Sequence, residues 1–147
     1  MSYAPVSPAP IRVFLFKRNL VDALNLCLAV EMSPLWCDVQ LLDDDAAAVR
    51  SACAAIRSGA AGPGLLLLDG DLQGAKSLET LNLLRRSPEL GLAPLLVVGD
   101  REDSDAEHRA YANGADGYIR RPTLSKELAR TGREIAHFWS KRHASRV

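Results

Sequence analysis

Residues 62–72 read Gly62-Pro63-Gly64-Leu65-Leu66-Leu67-Leu68-Asp69-Gly70-Asp71-Leu72, and the four consecutive leucines between a turn and an aspartate decide the fold class. A strand that is apolar on both faces belongs in the middle of a parallel sheet covered on two sides. Outward from it, residues 11–16, 39–42, 95–98 and 118–119 form further short apolar runs. Helical patterns lie between them. One spans about 21–32 with Leu24, Cys27 and Leu28 on a stripe, and a second is capped by Asp45 and carries Val49, Cys53 and Ile56. A third carries Leu78, Leu81 and Leu84 and ends before Pro88. Ser104 is placed to cap a fourth, which Asn113-Gly114 stops with a left-handed residue. Thr123 is placed to cap the last, which bears Leu124, Leu128, Ile135 and Trp139.

Five strands alternating with five helices predict an α/β fold, a doubly wound five-stranded parallel sheet flanked by five helices. The domain is expected over residues 11–142, with tails at 1–10 and 143–147. In such sheets ligands and chemistry gather at the carboxyl ends of the strands. Those ends are Lys17-Arg18, Asp69, Gly99-Asp100 and Arg120-Arg121.

Composition narrows the partners. The 147 residues suit one domain, and 18 Lys and Arg balance 18 Asp and Glu. A small domain that reads nucleic acid carries a basic surplus, so neither nucleic acid nor an anionic membrane is expected as a partner. Cys27, Cys37 and Cys53 form no CxxC pair and there is no secretory signal, which fits a reducing, cytoplasmic setting. The run at 65–68 is far too short to cross a bilayer. His108, His137 and His143 lack metal-ligand spacing and read as solvated; Asp43-Asp44-Asp45 reads as an acidic helix start. The chain contains no phosphate-cradling glycine loop, GxSxG or HExxH.

Four segments resemble the response-regulator receiver family over roughly residues 11–140. They look most like single-domain regulators that partner phytochrome-type histidine kinases. Phe16-Lys17-Arg18-Asn19-Leu20-Val21-Asp22-Ala23-Leu24 is similar to that group's first loop, and 65–72 to the strand ending in its phosphoacceptor. Residues 112–122 resemble the segment that closes on Lys-Pro, and Ile135-Ala136-His137-Phe138-Trp139 the aromatic end of the last helix. The resemblance implies a flavodoxin-like receiver fold and a place in a two-component system or phosphorelay. It puts Asp69 at the phosphoacceptor position and Tyr118 at the aromatic switch. Pro122 is then expected to follow a cis peptide bond.

This chain departs from the family at the same site. Lys17 and Arg18 replace the acidic pair that holds Mg²⁺, Gly99 replaces a Thr or Ser, Arg121 replaces the lysine, and Gln73 replaces a proline. Two unit charges at ~4 Å interact by about 4 kcal/mol at an effective dielectric of 20. Two such contacts with reversed sign outweigh what one or two carboxylates contribute to Mg²⁺ binding, so the Mg²⁺ site is expected to be lost and no cofactor is expected. Lys17 or Arg18 either reaches Asp69 and takes the metal's place or points to solvent, and Arg121 can still pair bidentately with Asp69 or a phosphate. Tyr118 either switches rotamer or is fixed. Phe138 and Trp139 either pack on the core or form a dimer contact.

Three functional readings follow. The first is an atypical receiver, not an enzyme, that acts through contacts with a histidine kinase or another signalling protein. The second is a working phosphoacceptor at Asp69, and the third an unrelated enzyme on a flavodoxin-like sheet. With no output domain after residue 147, output is expected through protein contacts, and a homodimer is expected. The docking face would use Arg109, Tyr111, Tyr118, Glu127 and Arg130, or Phe138 and Trp139.

Overall fold

The computed structural model describes residues 9–100 and 103–144. Most of both expected tails, residues 1–8 and 145–147, lies outside the described residues, as does the side chain of His143. Five strands form one parallel sheet: β1 (Ile11–Lys17), β2 (Cys37–Asp43), β3 (Leu65–Asp69), β4 (Leu95–Gly99) and β5 (Gly117–Arg120). Their order is β2-β1-β3-β4-β5, so the leucine run lies at the centre and is buried throughout. The helices between them are α1 (Leu20–Met32), α2 (Ala46–Arg57), α3 (Ala75–Arg86), α4 (Ala106–Ala112) and α5 (Leu128–Ala144).

The period-2 alternation of strands sorts the core into two layers. Val13, Leu15, Leu65, Leu67, Leu96 and Val98 face α1 and α5. Phe14, Phe16, Leu66, Leu68 and Val97 face α2, α3 and α4. Asp45 caps α2 by accepting from the Ala48 amide at 2.7 Å, and Val49 and Cys53 are buried as their spacing predicts. Gly114 ends α4 at φ +103°.

Three local expectations are corrected. Leu24 and Leu28 do not face the core: α1 buries Ala23, Leu26, Ala29 and Val30 instead. Only Asp22, Asn25 and Glu31 are polar among its 13 residues, so periodicity could not choose a face. The face with alanines at 23 and 29 lets α5 come close: a Cβ on Gly132 would stand 2.3 Å from the Ala29 carbonyl oxygen. Ser104 does not cap α4; Asp105 is the N-cap residue, and its amide donates to the Asp103 carboxylate at 3.1 Å. Nor does Thr123 cap α5 directly. A 3₁₀ turn (Ser125–Glu127) precedes the helix, and buried Glu127 accepts from the Thr123 amide, the Thr123 hydroxyl and the Leu124 amide at 3.0–3.1 Å.

These bonds, the Thr123 amide foremost, lower the Glu127 pKa from 4.5 to about 2. A depressed carboxylate contributes stability that is present above its unfolded pKa and lost as pH falls through the folded one. Glu127→Gln is therefore expected to be less stable than wild type at neutral pH. The difference should close between about pH 4.5 and 2, as read from urea midpoints against pH. A constant gap down to pH 2 would rule out the carboxylate as its source.

Candidate functional site

The carboxyl ends of β1, β3, β4 and β5 converge on Asp69 and Arg121. Asp69 closes the central strand and is 1% exposed; Arg121 follows β5 and is 6% exposed. The Arg121 guanidinium donates to Asp69 Oδ1 twice, from Nε at 2.8 Å and from Nη2. Its Nη1 donates to Asp100, its Nε lies 3.6 Å from Asp22 Oδ2, and its Nη2 contacts the Gly70 carbonyl at 3.4 Å. Three carboxylates from different parts of the chain therefore surround one guanidinium. Arginine suits this place because its planar charge is weakly hydrated and offers several donors in fixed directions.

Burial pushes the Asp69 carboxyl up, against the pull of Arg121. Burial also opposes the charge on Arg121, but Asp69, Asp100 and Asp22 outweigh it and raise its pKa. The buried pair is thus held by mutual compensation. Asp69 Oδ2 is buried without a hydrogen-bond partner among the described residues.

Lys17 and Arg18 go elsewhere. Lys17 Nζ donates to Asp43 at 2.7 Å and Arg18 Nη1 lies 3.5 Å from Asp71 Oδ2. Neither makes an ion pair with Asp69 among the described residues, so the expectation that one of them takes the metal's place is corrected: Arg121 pairs with Asp69 instead. In the sheet register Lys17 stands between Asp43 and Asp69. A strongly hydrated ammonium pairs with the exposed Asp43 rather than the buried Asp69.

Gly99 ends β4 under the ring of Tyr118. A Cβ at residue 99 would stand 2.4 Å from Tyr118 Oη and 2.7 Å from Cε2. The hydroxyl donates to the Asp100 carbonyl at 3.4 Å, and burial raises its pKa. The ring fills the room that a Thr or Ser would need. The Arg121–Pro122 peptide is trans, as no peptide bond among the described residues is cis; the expected cis bond at Pro122 is not present. The trans isomer is intrinsically favoured by about 0.5–1 kcal/mol, and here the Arg121 amide also donates to the Gly99 carbonyl at 2.9 Å.

Two residues of the site, Asp44 and Ser77, were missed. Buried Asp44 accepts from Ser77 Oγ at 2.5 Å, and that Oγ in turn accepts from the Asp71 amide at 2.9 Å, fixing the loop after β3. In the sequence Asp44 reads only as part of an acidic helix start; the signal that sets it apart is its place next to Asp43, where β2 ends level with Asp69's strand. His108 and His137 are exposed, as expected. Phe138 and Trp139 are half-buried against their own chain's apolar layer.

The residues present do not fit a Mg²⁺ ion of the receiver kind. Mg²⁺ is held octahedrally at about 2.1 Å by several waters and one or two carboxylate oxygens. Those of Asp22, Asp69 and Asp100 are aimed at a guanidinium, and the acidic-pair positions carry cations engaged with Asp43 and Asp71.

The phosphorylated cyanobacterial phytochrome response regulator RcpA superposes with a TM-score of 0.69, at 24% identity, over 89% of this chain and 94% of RcpA. The Mn²⁺-bound response regulator Rcp1 gives 0.70 at 20% identity, over 88% and 94%. This chain has the receiver fold. No family model matches it. In sequence, the receiver-fold chain is 28% identical over 130 residues to "Probable methanogenesis regulatory protein FilR2" of Methanothrix harundinacea, covering 88% of this chain and 84% of FilR2. It is 35% identical over 66 residues to the phosphate regulon transcriptional regulatory protein PhoB of Rhizobium meliloti, covering 45% of this chain and 29% of PhoB. RPA3017, a response regulator in red light signaling of R. palustris, matches with a TM-score of 0.70 at 20% identity, over 89% and 94%.

Proposed function

We propose that this receiver-fold chain is an atypical response regulator, not an enzyme, that works in the cytoplasm through contacts with a histidine kinase or another signalling protein. Mg²⁺-dependent phosphorylation of Asp69 is impaired. The observation that carries this reading is the guanidinium of Arg121 seated on the Asp69 carboxylate, where it takes up the charge that a divalent ion would otherwise neutralise. A phosphoryl donor needs an open approach to a carboxylate oxygen and a cation to offset the charge that develops. At 1% exposure Asp69 offers little approach. The role requires no nucleic acid, in keeping with a net charge of zero.

For the partner, the face of α4, β5 and α5 supplies Tyr111, which is exposed, with Tyr118 and Arg130 beside it. Glu127 drops out of that surface because it is buried under its own turn, and Arg109 is tied to Asp103 at 2.8 Å. A second reading, a working phosphoacceptor, is favoured by the unbonded Oδ2 of Asp69.

Intact mass after incubation with acetyl phosphate and Mg²⁺ separates the two, with Asp69→Asn as control. No adduct is expected. A phosphoryl adduct that disappears in Asp69→Asn, and that survives Lys17→Ala with Arg18→Ala, would establish the second reading instead.

A further inference from the structure

A groove of about 490 Å³ lies between α2 and α3, on the side of the sheet away from α1. Buried Val49 and Cys53 from α2 and half-buried Leu83 from α3 give it an apolar floor, and exposed Arg50, Arg57 and Arg86 stand along it. Arg57 donates to Glu89 at 2.8 Å and Cys53 Sγ donates to Ser87 Oγ at 3.3 Å. Those two bonds tie the end of α2 to the turn after α3 and close that end of the groove. Three guanidinium groups thus face the one carboxylate of Glu89, in a chain whose net charge is zero. Arg50 and Arg86 form no ion pair among the described residues. Helix dipoles account for Arg57 and Arg86, which lie in last turns, but not for Arg50, which lies well before the end of α2. Arg86 also leans back along α3, its Nε 3.4 Å from the Asn82 carbonyl, which takes its guanidinium away from the negative end of the helix.

We propose that this groove binds a small organic anion with an apolar body, a monocarboxylate whose tail lies on Val49, Cys53 and Leu83 and whose carboxylate sits between Arg50 and Arg86. Charge and shape select that class together. An apolar floor with a few convergent polar groups, at this volume, is the usual make-up of a small-ligand site. A bare inorganic anion would satisfy the arginines and leave the floor wet. A neutral apolar molecule would cover the floor and leave two cations without a counter-charge. Guanidinium groups hold carboxylates through paired, charge-assisted hydrogen bonds, which supplies the affinity that a shallow apolar floor lacks. The Arg57–Glu89 bridge blocks the closed end, so a peptide helix cannot run through the groove, whereas a short ligand fits ahead of the bridge.

The groove shares no residue with the surroundings of Asp69, so the proposal stands whether or not that carboxylate accepts phosphate. Octanoate is the probe, titrated into the isotope-labelled full chain and followed by amide resonances, with octanol and acetate as partial ligands. Octanoate is expected to shift the amides of Val49, Cys53, Leu83 and Ser87 saturably. Octanol and acetate should each bind at least about tenfold more weakly, because one lacks the charge and the other the apolar body. Arg50→Gln combined with Arg86→Gln, both at exposed positions, should weaken octanoate by at least about tenfold and leave octanol as it was. Raising the salt should weaken octanoate and not octanol. Arg133→Gln, at an exposed arginine on α5, should bind octanoate like wild type. Octanol binding as tightly as octanoate would reduce the groove to a plain apolar cleft and overturn the proposal. No saturable shift, shifts confined to other faces, or octanoate binding that survives the double glutamine variant would overturn it equally.

Discussion

Replacing Arg121 with methionine is expected to destabilise the fold by about 3–5 kcal/mol, seen as a large fall in the urea midpoint with an unchanged slope. Methionine keeps much of the volume and removes every donor that reaches Asp69. The cost is not the loss of a favourable contact as such. It is the stranding of a carboxylate that is 1% exposed and already lacks a partner at Oδ2. Asp22 and Asp100 add to it, because both lose the cation they face.

The pH dependence identifies the cause. Burial already pushes the Asp69 pKa up with Arg121 present. Without the guanidinium the folded pKa rises further above the unfolded value of about 3.9. A carboxylate raised in the folded state favours folding at low pH and opposes it as pH climbs through the folded pKa. The deficit of Arg121→Met should therefore be greatest at neutral pH and shrink on acidification. Adding Asp69→Leu should recover most of the loss, since a buried pair exchanged for apolar groups is often neutral. A double variant as unstable as Arg121→Met alone would show that the guanidinium stabilises something other than this carboxylate.

The sheet was legible because the inner strands β1, β3 and β4 are apolar runs of the right length, and the four strand ends that form the site follow from topology alone. An Arg121–Asp69 pair was legible as one option, but which of three cations would cover Asp69 was not. Lys17, Arg18 and Arg121 all end up at strand ends, and a charge count treats them alike. Desolvation separates them: the ammonium of Lys17 stays at the rim with Asp43, while the guanidinium, less tightly hydrated, goes inward. The outward face of α1 was hidden for a different reason. Leu24 and Leu28 carry as large a hydrophobic signal, yet the core took the face of Ala23, Leu26, Ala29 and Val30, which lets α5 come close at Ala29. Periodicity measures how apolar a face is, not how closely a neighbouring helix packs on it.

Gly99→Thr is expected to drive Tyr118 off its seat, at a cost of about 1–3 kcal/mol for the overpacked site. The new Cβ would stand 2.4–2.9 Å from Oη, Cε2 and Cζ of the ring, too close for the ring to stay in place. Threonine is itself the better strand residue, a preference worth up to ~1 kcal/mol, so steric conflict has to exceed that before the variant is less stable at all. Rotation of the ring toward solvent would relieve the clash, break the hydroxyl's bond to the Asp100 carbonyl and expose a half-buried side chain. Ring resonances of Tyr118 should shift toward solvent-exposed values, while those of Tyr111 stay in place. In a Tyr118→Ala background the conflict is gone, and Gly99→Thr should become neutral or mildly stabilising, a coupling that a double-mutant cycle reads directly. Equal costs in both backgrounds would mean that Tyr118 is not what requires a glycine at residue 99. If the coupling is found, the tyrosine is held over β4 by the residue beneath it, with no phosphoryl group involved.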